Sequence, residues 1–210
     1  MSLNVLNWII PALVSYLVGG IPTAYLAARL LKGQDIRRVG DHNVGAANVY
    51  RNINAKAGIV VGMIDIAKGS AAVLLVRGLI DSTQAEMIAG VAVVAGHNWP
   101  VYFRLRGGRG AATAVGVLLA MLPAPAIPVG LLSLVVLYLT KKAVKSLGFF
   151  LICVPILAWW PSHYWWPAHY SYPLISYSVG IPLLVGISHY LSVKRASQPP
   201  SDGEPALRQG

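Results

Sequence analysis

Four short stretches of an otherwise apolar chain carry residue types that can do chemistry. GGRG, residues 107–110, sets three glycines around Arg109 just before a long uncharged run. Glycine lets backbone N–H groups come close to an anion, and a helix N-terminus attracts phosphate. Arg109 adds a fixed planar charge that grips oxyanions in pairs. A flexible turn with one basic residue would read the same, so the motif alone leaves both readings open. It is not a nucleotide P-loop, because no G-x-x-x-x-G-K-[ST] occurs in the chain. VGDHNVGAANVYRN, residues 39–52, has the same character. Gly40 and Gly45 permit tight turns, Asn43 and Asn48 supply amides, and Arg51 supplies charge. Val44, Ala46 and Ala47 suit a solvated loop poorly. The segment is therefore expected to re-enter the protein and line a polar cavity, where irregular backbone is tolerated at a membrane.

The other two stretches place ionisable groups inside apolar runs. Asp65 and Lys68 of IDIAKG stand at i and i+3 on one helical face. They are read as a structural ion pair, which lowers their burial cost, with direct chemistry as the rival. His97 of GHNWP lies about six residues from the end of its run, ~9 Å deep at ~1.5 Å per residue. That depth is comparable with Asp65 and Lys68. His97 is a general base, a donor to phosphate or a satisfied core histidine. His189 of SHYLSVKR has the same choices, and Ser146 is a ligand contact or a helix cap. No H-E-x-x-H, G-x-S-x-G or paired-cysteine motif occurs, and the single cysteine, Cys153, sits in an apolar run as packing. Nothing points to a metal ion, a serine triad or a cysteine nucleophile. The constellation is a phosphate clamp without an obvious protein nucleophile, which suits a substrate that arrives already activated.

The elements that must hold these residues are membrane helices. Of 210 residues 56% are hydrophobic and 11% charged, against about 25% charged in soluble domains. Ala111 to Thr140 carries no charge at all. A net charge of +10 could signal nucleic acid, but the basic residues lie in short loops between apolar segments and form no soluble face. Candidate spans cover roughly 5–28, 58–79, 87–103, 111–122, 126–140, 147–160 and 174–193. Pro123, Pro125 and Pro128 divide the uncharged run into a tight hairpin of two short helices, since a single helix of that length would be ~44 Å long. Charge placement supports the division. With seven spans, 15 of the 17 Lys and Arg share one side, leaving Lys68 within a span and Arg77 opposite. By the positive-inside rule the N-terminus is outside and the C-terminus cytoplasmic.

The N-terminus lacks a charged leader region and an A-x-A-like site, so its first run is read as a permanent span. YWWPAHY, 164–170, fits an outer interfacial belt, and QPPSDGEPALRQG, 198–210, a disordered tail. The expected organisation is all-α and polytopic. One membrane domain occupies 1–195, with seven transmembrane helices and short or re-entrant cytoplasmic elements, and 196–210 form the tail. No internal repeat is evident, which counts against an inverted-repeat transporter.

These motifs resemble the bacterial acyl-phosphate:glycerol-3-phosphate acyltransferases. GDHNVGAANVYR is similar to that family's G-S-G-N-x-G-A-T-N-x-x-R. IDIAKG is similar to D-x-x-K-G, and GHNWPVYFRLRGGRGAAT to G-H-x-x-P-V-Y-F-x-x-x-G-G-K-G-x-A-T. KAVKSLG and SHY loosely resemble its V-S-L and R-H segments. Order and spacing agree over residues 13–193. The resemblance implies a seven-span protein of the bacterial inner membrane with a cytoplasmic active site. It implies transfer of a fatty acyl group from acyl phosphate to the 1-hydroxyl of glycerol 3-phosphate, yielding lysophosphatidate and inorganic phosphate. No cofactor, metal, coenzyme A, acyl-carrier protein or nucleic acid is implied, and a monomer in the bilayer is expected. By the match, Asn43, Gly45 and Asn48 hold the acyl phosphate with backbone amides of that loop. Gly107, Gly108 and Gly110 shape the second phosphate loop. Arg51, Arg109 and Ser146 address the phosphates, His189 and Ser192 lie near the acceptor, and His97 orients the cluster. The chain departs from the pattern at Asp41 and His42 (usually Ser and Gly), Ala47 (Thr), Arg109 (Lys), Ser188 (Arg) and Ser192 (Asn). A carboxylate beside a phosphate is costly unless paired, and Arg37 or Arg38 is the expected partner of Asp41. The rival function is a non-catalytic membrane binder or transporter of an anionic lipid or metabolite.

Overall fold

The computed structural model describes residues 5–160 and 170–196, and among these there is no β-strand. The aromatic stretch 164–169 and the tail from 197 onward lie outside the described residues. The helices are α1 Leu6–Gly20, α2 Thr23–Lys32, α3 Ala46–Asn52, α4 Ala55–Leu79, α5 Thr83–Asn98, α6 Ala111–Met121, α7 Pro123–Thr140, α8 Ala143–Trp159 and α9 Tyr172–Ala196. Short 3-10 turns at Ile36–Arg38 and Val101–Phe103 shape the two long loops.

Each of the seven expected apolar segments contains a helix. Among the described residues four stretches are long and apolar enough to cross a bilayer: Leu6–Lys32, Ala55–Leu79, Pro123–Thr140 and Tyr172–Lys194. Of the other helices, α3 is a seven-residue loop helix, and α5, α6 and α8 have 16, 11 and 17 residues. At ~1.5 Å per residue α6 spans only ~17 Å of a ~30 Å hydrocarbon core. The break in the uncharged run falls at Leu122. Pro123 and Pro125 sit in the first turn of α7, where a missing N–H costs nothing, so the prolines open this helix and do not form a separate turn.

The first segment is not one continuous helix. Ile21–Pro22 interrupts it, and the chain restarts at Thr23. Proline cannot donate to the preceding turn, so carbonyls there are left to other donors. The interruption is used: Lys68 Nζ donates to the Ile21 carbonyl at 3.3 Å, and Thr23 Oγ1 donates to Asp65 Oδ1 at 2.8 Å.

Packing between helices relies on small residues, as expected where lipid tails are as apolar as the side chains they would replace. A side chain at Gly69 would run into the Thr113 carbonyl, and one at Gly116 into that of Ile66, so α4 and α6 touch backbone to backbone. Ser70 Oγ adds a bond to the Gly116 carbonyl at 2.8 Å. Gly19 against Val93 and Gly96 against Tyr16 bring α1 and α5 equally close. The main core lies among α4 to α9 around Leu118, Leu122, Phe150 and Ile181. A separate small core of Ala24, Ala28, Ile36, Val44, Val49, Ile53 and Val61 lies under the first loop. Arg77, expected alone on its side, is paired: it reaches Glu86 at 2.7 Å and the Ala120 carbonyl at 3.0 Å, clasping α4, α5 and α6.

Candidate anion site

The first loop is held from within by one amide. Asn48 is fully buried in α3, and its Nδ2 donates to the carbonyls of Ile36, Val39 and Asn43 at 3.3, 2.9 and 2.9 Å. Its Oδ1 accepts from Asn52 Nδ2 at 2.7 Å. Side-chain valence is thus spent on loop carbonyls that have lost helical partners. Gly40 and His42 flank Asp41 with φ of +61° and +58°. At Gly40 a side chain would strike Asn48 and Asn52, so glycine is required there. His42 takes a left-handed conformation where the family pattern has glycine, and Nδ1 makes a compensating bond with the Arg37 carbonyl at 3.1 Å.

Asp41 does not pair with Arg37 or Arg38. Arg37 is engaged with Asp35 at 2.7 Å and lies over the rings of Tyr25 and Phe103. Its guanidinium, by hydrogen bonding, holds the Asp35 carboxyl below the usual range. Asp41 Oδ2 instead lies 3.0 Å from Arg51 Nη2 and 3.4 Å from Arg109 Nη1. The sequence reading put both arginines on phosphate; the structure brings them together on one carboxylate. Nε of Arg109 is buried with no hydrogen-bond partner among the described residues. His189 on α9 lies within electrostatic reach of both Arg109 and Asp41.

The second loop is fastened to the end of α5. Gly107 N donates to the Asn98 carbonyl at 3.1 Å, and Gly108 N to that of His97 at 3.0 Å. A side chain at Gly108 would meet the His97 ring and the Val44 carbonyl. One at Gly110, where φ is +78°, would meet the Asn98 amide. These glycines therefore let the loop lie against α5, and two of their amides are committed there. Ser188 Oγ, on α9, donates to the Gly108 carbonyl at 3.4 Å.

Beneath the loops lies a buried polar cluster. Lys68 Nζ pairs with Asp65 Oδ1 at 2.8 Å, as expected for a structural pair, and His97 Nδ1 lies 3.7 Å from the same oxygen. A cavity of about 10 Å³, room for about one water, is lined by Thr23, Val44, His97, Gly107 and Gly108 among others. Asn43 Oδ1, both side-chain polar atoms of Asn98, and Thr113 Oγ1 are buried without hydrogen-bond partners among the described residues. Asn98, Thr113 and Thr23 were not singled out in the sequence; a polar residue at a helix end gives no signal of what it faces.

Of the remaining expected site residues, Ser146 is committed elsewhere. Ser146 Oγ donates to the Ser133 carbonyl at 2.6 Å and ties α8 to α7. Ser192 lies one turn beyond His189 on α9 and makes no hydrogen bond among the described residues. Nor do any three His, Cys, Asp or Glu side chains among the described residues gather closely enough for a metal.

Fold and site define a helical integral membrane protein in which two arginines, Arg51 and Arg109, converge on the Asp41 carboxylate. Residues 9–198 match the family model of glycerol-3-phosphate acyltransferase. The chain is 39% identical over 185 residues to glycerol-3-phosphate acyltransferase 4 of Dehalococcoides mccartyi, covering 87% of this chain and 95% of that one. It is 42% identical to glycerol-3-phosphate acyltransferase of Thermoanaerobacter sp., covering 67% of this chain and 69% of that one. Its structure is similar to crystal structures of PlsY, an integral membrane glycerol 3-phosphate acyltransferase. The glycerol 3-phosphate form superposes with TM-score 0.76 at 29% identity, covering 89% of this chain and 90% of that one. The lysophosphatidic acid form gives 0.72 at 26%. The chain belongs to the glycerol-3-phosphate acyltransferase family.

Proposed function

We propose that this protein transfers a fatty acyl group from acyl phosphate to the 1-hydroxyl of glycerol 3-phosphate. The products are 1-acylglycerol 3-phosphate and inorganic phosphate. One observation carries the reading. Arg51 and Arg109, from loops far apart in sequence, converge on a single oxyanion, and Arg109 keeps a sealed, unpartnered Nε. Both substrates are dianionic near neutral pH, so their approach requires concentrated positive charge.

In this reading Arg51 and Arg109 bind the two phosphates. Asn43, Gly45 and the amides that open α3 and α6 ahead of Asn48 and Ala114 complete the donors around them. His189 and, one turn on, Ser192 border the acceptor. Asn48, Gly107, Gly108 and Gly110 act as positioning residues, because their bonds and contacts fix the two loops. His97 does the same: its ring lies between Asp65 and Gly108, and its carbonyl holds the second loop. Ser146 contributes through the α7–α8 contact. The acceptor hydroxyl adds to the carbonyl carbon of the donor, and the carbon–oxygen bond to phosphate breaks. The hydroxyl proton leaves on the departing phosphate, and no covalent enzyme intermediate is formed.

The helices cross the bacterial plasma membrane seven times, with the short α5, α6 and α8 as partners to the longer spans. The arginine-rich loops face the cytoplasm, as the positive-inside rule requires. One chain supplies the whole arginine pair, so the working unit is a monomer. The test is a transfer assay on purified, reconstituted protein with glycerol 3-phosphate and either acyl phosphate or acyl-coenzyme A. Lysophosphatidate should form from acyl phosphate alone. Phosphate binding without product from either donor would favour a binder or transporter.

A further inference from the structure

Asp41 makes the contacts that a substrate oxyanion would make. Its Oδ2 touches both guanidiniums of the proposed phosphate seat, at 3.0 and 3.4 Å, and its Oδ1 accepts from Asn43 N at 3.4 Å. Loop architecture does not need this carboxylate. Asn48 and the small apolar core under the loop hold the backbone on either side of it. Pairs this exposed contribute little to stability, since the side chains of Asp41 and Arg51 are 34% and 50% accessible. The same accessibility means the carboxylate can swing aside without breaking any buried contact. It is also placed by design of the backbone: left-handed residues on both sides turn Asp41 toward the arginines. With it in place the seat carries two positive charges and one negative; without it, two positive charges.

We infer that Asp41 is a resident anion of the phosphate seat, competing with substrate and product phosphate for Arg51 and Arg109 and so setting a deliberately weak grip. The inference rests on the reading of that seat as a phosphate site and adds what controls its affinity. A weak grip has a use. Two substrates and one product all bear phosphate, and a seat of two uncompensated arginines would retain inorganic phosphate after transfer. A carboxylate that returns to the arginines displaces the product and leaves the seat ready for the next acceptor. Where the family pattern has serine, no such competitor exists. This chain should therefore bind phosphate less tightly than its own uncharged variants.

The experiment uses the full chain, purified in detergent, as wild type and as Asp41→Asn, Asp41→Ser and Asp41→Glu. Inorganic phosphate binding is measured by calorimetry without turnover, and KM for glycerol 3-phosphate in the transfer assay. Removing one negative charge about 5 Å from a dianion at a water-facing site should tighten phosphate by roughly tenfold. Asp41→Asn and Asp41→Ser should both show this, with KM falling in parallel and the gap narrowing at high salt. Asp41→Glu, which keeps the charge, should stay within about threefold of wild type on this Coulomb argument. Phosphate affinity unchanged or weakened in both uncharged variants overturns the inference and makes Asp41 an orienting partner of the arginines. Two patterns separate this from the functional reading. Active wild type with no tightening in the variants sinks the inference alone. Tightening in the variants with no lysophosphatidate from any form supports the inference and sinks the acyltransferase reading.

Discussion

Replacing Arg109 by alanine removes one of the two charges of the seat and a sealed Nε donor. The Arg109 side chain is 20% accessible, so its interactions are only partly screened. At about 4 Å from a phosphate and an effective dielectric of about 40, one charge pair is worth ~2 kcal/mol, and a dianion raises this to ~4. Residual screening and a water in the vacated space bring the expected loss to about 3 kcal/mol. At about 1.4 kcal/mol per decade, kcat/KM for glycerol 3-phosphate should fall roughly a hundredfold. Arg109→Lys keeps the charge but loses Nε and the planar fork, and should fall about tenfold or less. Neither variant should unfold, because Asp41 keeps Arg51 at 3.0 Å and the loop keeps its bonds to α5. Initial rates with acyl phosphate, read beside thermal unfolding in detergent, provide the assay. Arg109→Ala within threefold of wild type would refute the clamp. A loss shared equally by Arg109→Lys would show that charge is not what Arg109 supplies.

Asn48→Ala removes a fully buried amide whose two N–H groups serve three loop carbonyls and should destabilise the protein by about 3 kcal/mol, read as a lowered thermal midpoint; a change below about 1 kcal/mol would contradict its role as the loop's anchor. His42→Gly should relieve left-handed strain and stabilise by up to about 1 kcal/mol, whereas His42→Ala should not; equal effects would show that φ is not the source. The Asp35 carboxyl is held below its ordinary value of 3.8 by Arg37, so its stabilising effect is present above that value and lost as pH falls through the lowered one. Asp35→Asn should therefore unfold more easily at pH 7, by about 1 kcal/mol or less, with the difference from wild type shrinking below about pH 4; a gap undiminished on acidification to full protonation of Asp35 would place the effect elsewhere.

Much of the helical plan is visible in the sequence because membrane spans are written as long uncharged runs. The break near Pro123 and the i,i+3 pairing of Asp65 with Lys68 follow from local chemistry alone. The break at Pro22 was missed because the surrounding residues stay apolar, and its purpose is set by Lys68, far along the chain. α3 was missed because seven residues carry too little periodicity to stand out in a polar loop. Arg51 and Arg109 are legible by type and spacing, but local sequence points Asp41 toward its neighbours Arg37 and Arg38 and not toward these two. Only the fold shows that the 39–52 and 104–110 loops meet. The glycines were legible as glycines and misjudged in emphasis: contact with α5 explains Gly107, Gly108 and Gly110 more directly than room for phosphate.

The central claim is that two arginines on converging loops hold phosphate while acyl phosphate is consumed. The most direct measurement is the simultaneous release of inorganic phosphate and lysophosphatidate from reconstituted protein given acyl phosphate and glycerol 3-phosphate. Wild type should release one phosphate for each lysophosphatidate, and Arg51→Ala and Arg109→Ala should lose both together. Phosphate released without lysophosphatidate, or product formed at wild-type rates by either variant, would contradict it.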